Sequence, residues 1–152
     1  MEINKENKEI VNILQELLQK NYDAEAGYKQ VMTKAKSMGL KEWLQAKARQ
    51  RSEFATQLDV MIREYNATPA DEGTILGTMH RAWIDFKTTL SADTDKALLE
   101  ECIRGEEASV TEYENQLENV ADYLPIKELL FAQMTSVKTA LNAVERLEDI
   151  IG

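Results

Sequence analysis

The apolar residues of this 152-residue chain recur at intervals of three and four over long stretches, the period of helices that present one face to a core. No strand-like alternation competes with that pattern. A first helix is expected over about residues 5–36, with Ile10, Leu14, Leu17, Leu18, Tyr28, Met32 and Ala35 inward and Gly39 as its carboxyl-terminal stop. A second is expected over about residues 41–65, turning Leu44, Ala48, Phe54, Ala55, Leu58 and Ile62 inward. Residues 66–73 contain Pro69 and other breakers. Thr74 is then placed to cap a shorter helix carrying Leu76, Met79, Trp83, Phe86 and Leu90. Asp93 is placed to cap a long third helix ending near Tyr123. Pro125 falls in the first turn of a fourth helix, where proline is tolerated, and that helix presents Ile126, Leu129, Leu130, Val137, Ala140, Leu141, Val144, Leu147 and Ile151.

The links set the topology. Only a few residues join the first helix to the second and the third to the fourth, so each pair forms an antiparallel hairpin. The link from second to third helix is long enough to travel the length of a bundle. The expected fold is therefore all-α: a ferritin-like four-helix bundle of two antiparallel hairpins with a short helix in the long crossover. A length of 152 residues, 43% of them hydrophobic, predicts one domain spanning residues 1–152 around one sizeable core.

Charge narrows the partners. With 27 acidic against 18 basic residues and a net charge of -9, the chain lacks the clustered cations that nucleic acid or an anionic membrane surface demands. Lys34, Lys36, Lys41, Lys47 and Arg49 are interspersed with acidic and apolar positions and are read as solvated helix faces. Cys102 is the one cysteine, which excludes an intrachain disulfide and places a free thiol on an apolar stripe. The opening run MEINKENKEI has no apolar segment and no stretch reaches membrane-spanning length, so a cytoplasmic protein is expected.

The chemistry is concentrated in a few polar residues directed at the core. Glu106 is surrounded on its helical face by Leu99, Cys102, Ile103, Val110, Tyr113 and Leu117, all within about 60° at roughly 100° per residue. An ionised carboxylate there needs a cation, a metal or a proton. Glu25 lies on the line Leu18, Glu25, Met32, and Arg51 is central among Leu44, Ala48, Phe54, Ala55 and Leu58. Counting from the first hairpin brings Glu25, Arg51 and Glu106 to one level, whereas Glu53 points away. The set reads either as an ion-pair cluster, both carboxylates sharing Arg51, or as a degenerate metal site with Glu25 and Glu106 as oxygen ligands and Tyr28 or Tyr113 beside them. Arg51 weighs against metal, because a permanent cation repels another.

The ordinary di-iron site of a ferritin-like bundle is excluded by inventory. It needs a Glu-x-x-His pair from each of two helices, and the only histidine, His80, follows Gly77 at that spacing. His80 itself is expected to pack on the crossover helix beside Trp83. Gln133 is expected to be a buried amide bonded to a neighbouring helix. Gly105, mid-helix beside Glu106, predicts a close backbone approach or a local bulge. No nucleophile elbow and no phosphate-binding glycine loop is present.

Three runs carry a resemblance: Arg51, Phe54, Ala55, Leu58 on the second helix; His80-Arg81-Ala82-Trp83-Ile84-Asp85-Phe86-Lys87 on the crossover; and Glu100-Glu101-Cys102-Ile103-Arg104-Gly105-Glu106 on the third helix. Through them the chain resembles, over nearly its whole length, a bacterial family of ferritin-like bundles described as a domain of unknown function. The resemblance implies the four-helix fold with its crossover helix, and metal binding by analogy with ferritins, without assigning an activity.

The leading functional expectation is a non-enzymatic bundle with no metal cofactor, working by association with a second copy as a dimer or with another protein. The missing histidines motivate it, as does an extra apolar flank on the first helix, Ile13, Ala24 and Val31, which needs a cover from the crossover helix or from a second copy of the chain. The alternative is a protein binding iron, manganese or zinc, or an oxidoreductase, with a carboxylate site at Glu25 and Glu106. A third is a module for a small apolar or cationic ligand held between the helices.

Overall fold

The computed structural model describes residues 5–70, 83, 86–120, 122–144 and 147–151. Among the described residues six helices follow in order: α1 (Lys5–Lys34), α2 (Met38–Glu64), α3 (Phe86–Leu90), α4 (Asp95–Asn119), α5 (Leu124–Asn142) and α6 (Leu147–Ile151). The four long ones form a ferritin-like four-helix bundle. Short turns make hairpins of α1 with α2 and of α4 with α5. The crossover then decides the topology. Asp95, in the first turn of α4, accepts from the backbone N–H groups of Lys36 at 2.9 Å and Ser37 at 2.7 Å, just before α2 begins. The amino-terminal ends of α2 and α4 therefore lie together, so the link from the end of α2 to the start of α4 joins opposite ends of the bundle.

Local chemistry explains the boundaries. Ser37 caps α2, its Oγ accepting from the Leu40 N–H at 3.2 Å, and Thr94 caps α4 by accepting from the Ala97 N–H at 3.1 Å. Helix α2 ends in a Schellman arrangement: Ala67 N–H donates to the Ile62 carbonyl at 3.2 Å and Asn66 N–H to the Arg63 carbonyl at 2.9 Å. Asn66 takes the left-handed conformation this requires, with φ of 61°. Pro125 lies in the first turn of α5.

Several expected boundaries move. Gly39 does not stop the first helix; α1 ends at Lys34, and Gly39 sits inside the first turn of α2. A Cβ at Gly39 would collide with the Ile150 carbonyl oxygen, so glycine is required there for close packing of α6. Thr94 rather than Asp93 caps α4, which ends at Asn119, short of Tyr123. The last helix is not continuous to Ile151. It stops at Asn142, and the separate turn α6 folds over the start of α2, where the Ile151 carbonyl accepts a hydrogen bond from the Ser37 hydroxyl. Helix α4 runs through Gly105 without a bulge. The expected cap at Thr74, the positions Leu76 and Met79, and His80 lie outside the described residues.

The core has two apolar clusters. One gathers Ile10, Leu14, Leu17, Leu18, Phe54, Leu58, Ile62, Val110, Ile126, Leu130 and Val137; the other gathers Tyr28, Val31, Leu40, Leu44, Leu98, Leu99 and Cys102. Trp83, from the crossover, packs against both. The extra flank of α1 is covered within the fold: Ala24 and Val31 are buried in the second cluster, and Ile13 packs on the first.

Candidate functional site

A polar layer crosses the core, and all four long helices contribute to it. Helix α2 supplies Lys47 and Arg51, one turn apart on its buried face, and α4 supplies Glu106, Ser109 and Tyr113 on successive turns. Glu106 is fully buried, and each of its oxygens meets a cation: Lys47 Nζ at 3.1 Å from Oε1, and an Arg51 guanidinium nitrogen on Oε2. The same Arg51 nitrogen donates to Ser109 Oγ at 3.0 Å, while its other terminal nitrogen donates to Asn21 Oδ1 on α1 at 3.3 Å. Ser109 in turn donates to the Glu106 carbonyl at 2.8 Å.

From Asn21 the network runs on toward α5. Asn21 Nδ2 donates to the Leu17 carbonyl at 2.9 Å and to the Tyr113 hydroxyl at 3.2 Å. That hydroxyl donates to Gln133 Oε1 at 2.5 Å, and Gln133 Nε2 donates to the Phe54 carbonyl at 3.3 Å and Gln57 Oε1 at 3.0 Å. The buried amide expected at Gln133 therefore bonds to two neighbouring helices. Aromatic rings enclose the cations. The Arg51 guanidinium lies 4.8 Å from the Trp83 ring centre and 5.7 Å from that of Phe54, and Lys47 Nζ lies 5.3 Å from the Trp43 ring centre.

Electrostatics fixes the protonation states. Burial pushes the Glu106 carboxyl upward, but the charges of Arg51 and Lys47 outweigh it and hold the group below its ordinary value, so it is ionised. Burial lowers the Arg51 pKa and the facing Glu106 charge raises it, with a net rise. Burial, aided by the Glu106 charge, pushes the Tyr28 hydroxyl well up. Burial likewise lifts the Tyr113 hydroxyl and the Cys102 thiol to about 12 each. All three are neutral at physiological pH. Such a thiol packs as a small hydrophobe and is a poor nucleophile.

The expected trio of Glu25, Arg51 and Glu106 is corrected at Glu25. Arg51 and Glu106 meet, but the Glu25 carboxylate turns along its own helix to Lys29 Nζ, 2.7 Å away, and lines a groove between α1 and α2 with Met32, Gln45 and Ser52. Lys47 takes the place expected of Glu25 as the third charge. It is not the solvated residue that its charged neighbours imply, being 5% exposed. The signal was its spacing: Lys47 precedes Arg51 by four residues and borders Ala48 and Leu44 on the inward face. Asn21 and Ser109, also missed, are polar residues at inward phases of α1 and α4.

This donor set does not fit a divalent metal. Both oxygens of Glu106 are held by cations, and among the described residues no three His, Cys, Asp or Glu side chains gather as ligands. The layer can hold charge and fix helix register. It presents no arranged nucleophile and base.

Comparison with known proteins gives a family and a fold. The model of a family described as "Domain of unknown function (DUF2383)" matches residues 9–119. No curated protein matches the chain. Among solved structures, a point mutant of Mycobacterium smegmatis Dps1 superposes with a TM-score of 0.81 at 19% identity, covering 93% of this chain and 95% of that one. At that identity the likeness is one of fold.

Proposed function

The chain belongs to the DUF2383 family of domains of unknown function, and we propose that it is a non-enzymatic ferritin-like bundle working without a metal, through association with a second copy of itself. The observation that carries the metal-free part is the occupation of both Glu106 oxygens by Lys47 and Arg51 in a fully buried layer. A cation added there would face two fixed positive charges at close range. The apolar flank of α1 does not support association, because the fold itself covers it. Support comes from α5, where Leu124 and Phe131, seven residues apart and so on one face, are 63% and 57% exposed.

Two measurements test the proposal. Protein purified without chelator is expected to carry no stoichiometric iron, manganese or zinc by elemental analysis; one metal ion per chain would overturn the metal-free part. Sedimentation over a concentration series is expected to show a dimer that Phe131→Glu weakens. A strict monomer at the highest concentration would overturn the association.

A further inference from the structure

Lys47 faces a second environment. Besides meeting Glu106, it lines a cavity of about 300 Å³ whose other walls include Trp43, Gln50, Ala140, Val144 and Ile150. That volume is at the lower end of small-molecule sites. The cavity follows from the break in the last helix: α5 stops at Asn142, and α6 turns back over the start of α2, bringing Ile150 against Gly39. Its walls are mostly apolar. Two polar groups stand out among them, the buried Lys47 and the Gln50 Oε1 atom, which is buried and accepts no hydrogen bond among the described residues.

Among the described residues, the buried charges of the layer are two cations and one carboxylate. Lys47 and Arg51 share the single Glu106 carboxylate, while the neighbouring Tyr28, Cys102 and Tyr113 are neutral. Of the described carboxylates on neighbouring turns, Glu25 pairs with Lys29 and Glu101 with Arg104. A buried ammonium that shares its carboxylate with an arginine and also lines a cavity favours an anion that can reach it, and a low-polarity wall favours an anion with an apolar body.

We propose that this cavity binds a small aryl carboxylate, its carboxylate on the Lys47 ammonium, its ring between Trp43 and the aliphatic wall, and a ring hydroxyl donating to Gln50 Oε1. The inference goes beyond the metal-free, self-associating reading and stands without it. A ligand of this class needs no chemistry from the layer, only the charge and the cavity.

The test is a titration of the full chain with para-hydroxybenzoate, followed by tryptophan fluorescence and by the rise of the thermal midpoint with ligand concentration. Saturable binding in the millimolar range or tighter is expected, stronger than for para-hydroxybenzyl alcohol, which keeps the ring and hydroxyl but lacks the charge. Lys47→Gln is expected to weaken binding about ten- to a hundredfold, the worth of a charged hydrogen bond. Because Lys47→Gln also alters the Glu106 layer, Ala143→Phe supplies a second variant: Ala143 is exposed at the cavity rim, so the added ring blocks the cavity without touching the ion pairs. It is expected to keep the wild-type midpoint and lose binding. No saturation in the millimolar range, equal binding of the alcohol, or unchanged binding by a folded Ala143→Phe chain would each overturn the proposal.

Discussion

Glu106 and Glu25 occupy inward-facing phases of their helices, and both side chains are largely withdrawn from water, yet they sit in opposite electrostatic worlds. Glu106 is fully buried, and both cations that hold it come from another helix, 55 and 59 residues away in the chain. Glu25 is 8% exposed and pairs with Lys29, four residues along its own helix, whose side chain is 61% exposed. Helical phase alone does not distinguish them. The difference is whether the side chain can reach a solvated cation on its own helix: at the flank of a stripe it can, and at the centre it cannot. A central carboxylate must then be met by partners across the core, so Glu106 ties α4 to α2 whereas Glu25 ties α1 only to itself.

The largest effect should come from breaking the central pair. Arg51→Met keeps much of the volume and the contact with Trp83 but leaves Glu106 with Lys47 alone, and removes donors from Asn21 and Ser109. Loss of a buried ion-pair partner costs about 3–5 kcal/mol. Urea unfolding should show that loss in the midpoint with the slope unchanged. A neutral result would mean that Lys47 alone satisfies Glu106, and the contrast with Glu25 would collapse.

A smaller effect, with a definite sign, comes from acid. The folded Glu106 carboxyl lies below its ordinary value, so its stabilisation is fully present above the unfolded value of about 4.3 and is lost as pH falls through the lower folded value. One such group contributes at most about 1.4 kcal/mol per pH unit to that slope. Glu106→Gln should therefore lower stability at neutral pH and flatten the acid limb of the profile below about pH 4. An acid limb as steep in Glu106→Gln as in the wild type would assign the acid sensitivity to other carboxylates.

The contrast between the two carboxylates also shows where sequence reasoning runs out. Periodicity locates helices well because burial of an apolar face dominates helix formation in a folded chain. Hence the four long helices, the Arg51–Glu106 pair and the buried Gln133 were legible from residue phase and hairpin level. The connection lengths gave the topology, which the Asp95 contacts to Lys36 and Ser37 bear out. Which flank residue turns inward was not legible, because Glu25 and Lys47 lie at similar angles from their stripes and the outcome depends on what stands opposite. Facing Lys47 is the buried Glu106; one turn from Glu25 is Lys29 in solvent. The break after Asn142 was equally hidden, since the apolar positions Val144, Leu147 and Ile151 continue the helical period across it. Its cause is tertiary: α6 packs back on Gly39, where only a glycine lets the Ile150 carbonyl approach.

The smallest effect should be at Glu25. Its partner Lys29 is one turn away and mostly in water, and such i,i+4 pairs contribute about 0.3–0.5 kcal/mol. Glu25→Gln keeps the shape and a polar end in the groove between α1 and α2, so the urea midpoint should move by no more than that amount, and raising the salt concentration should shrink the difference. A loss of several kcal/mol, insensitive to salt, would place Glu25 in the same buried electrostatic unit as Glu106 and restore the three-charge cluster that the helical phases predict. The salt dependence makes the outcome decisive: screening reaches a pair whose cation is in solvent, and it does not reach Arg51, which is 1% exposed.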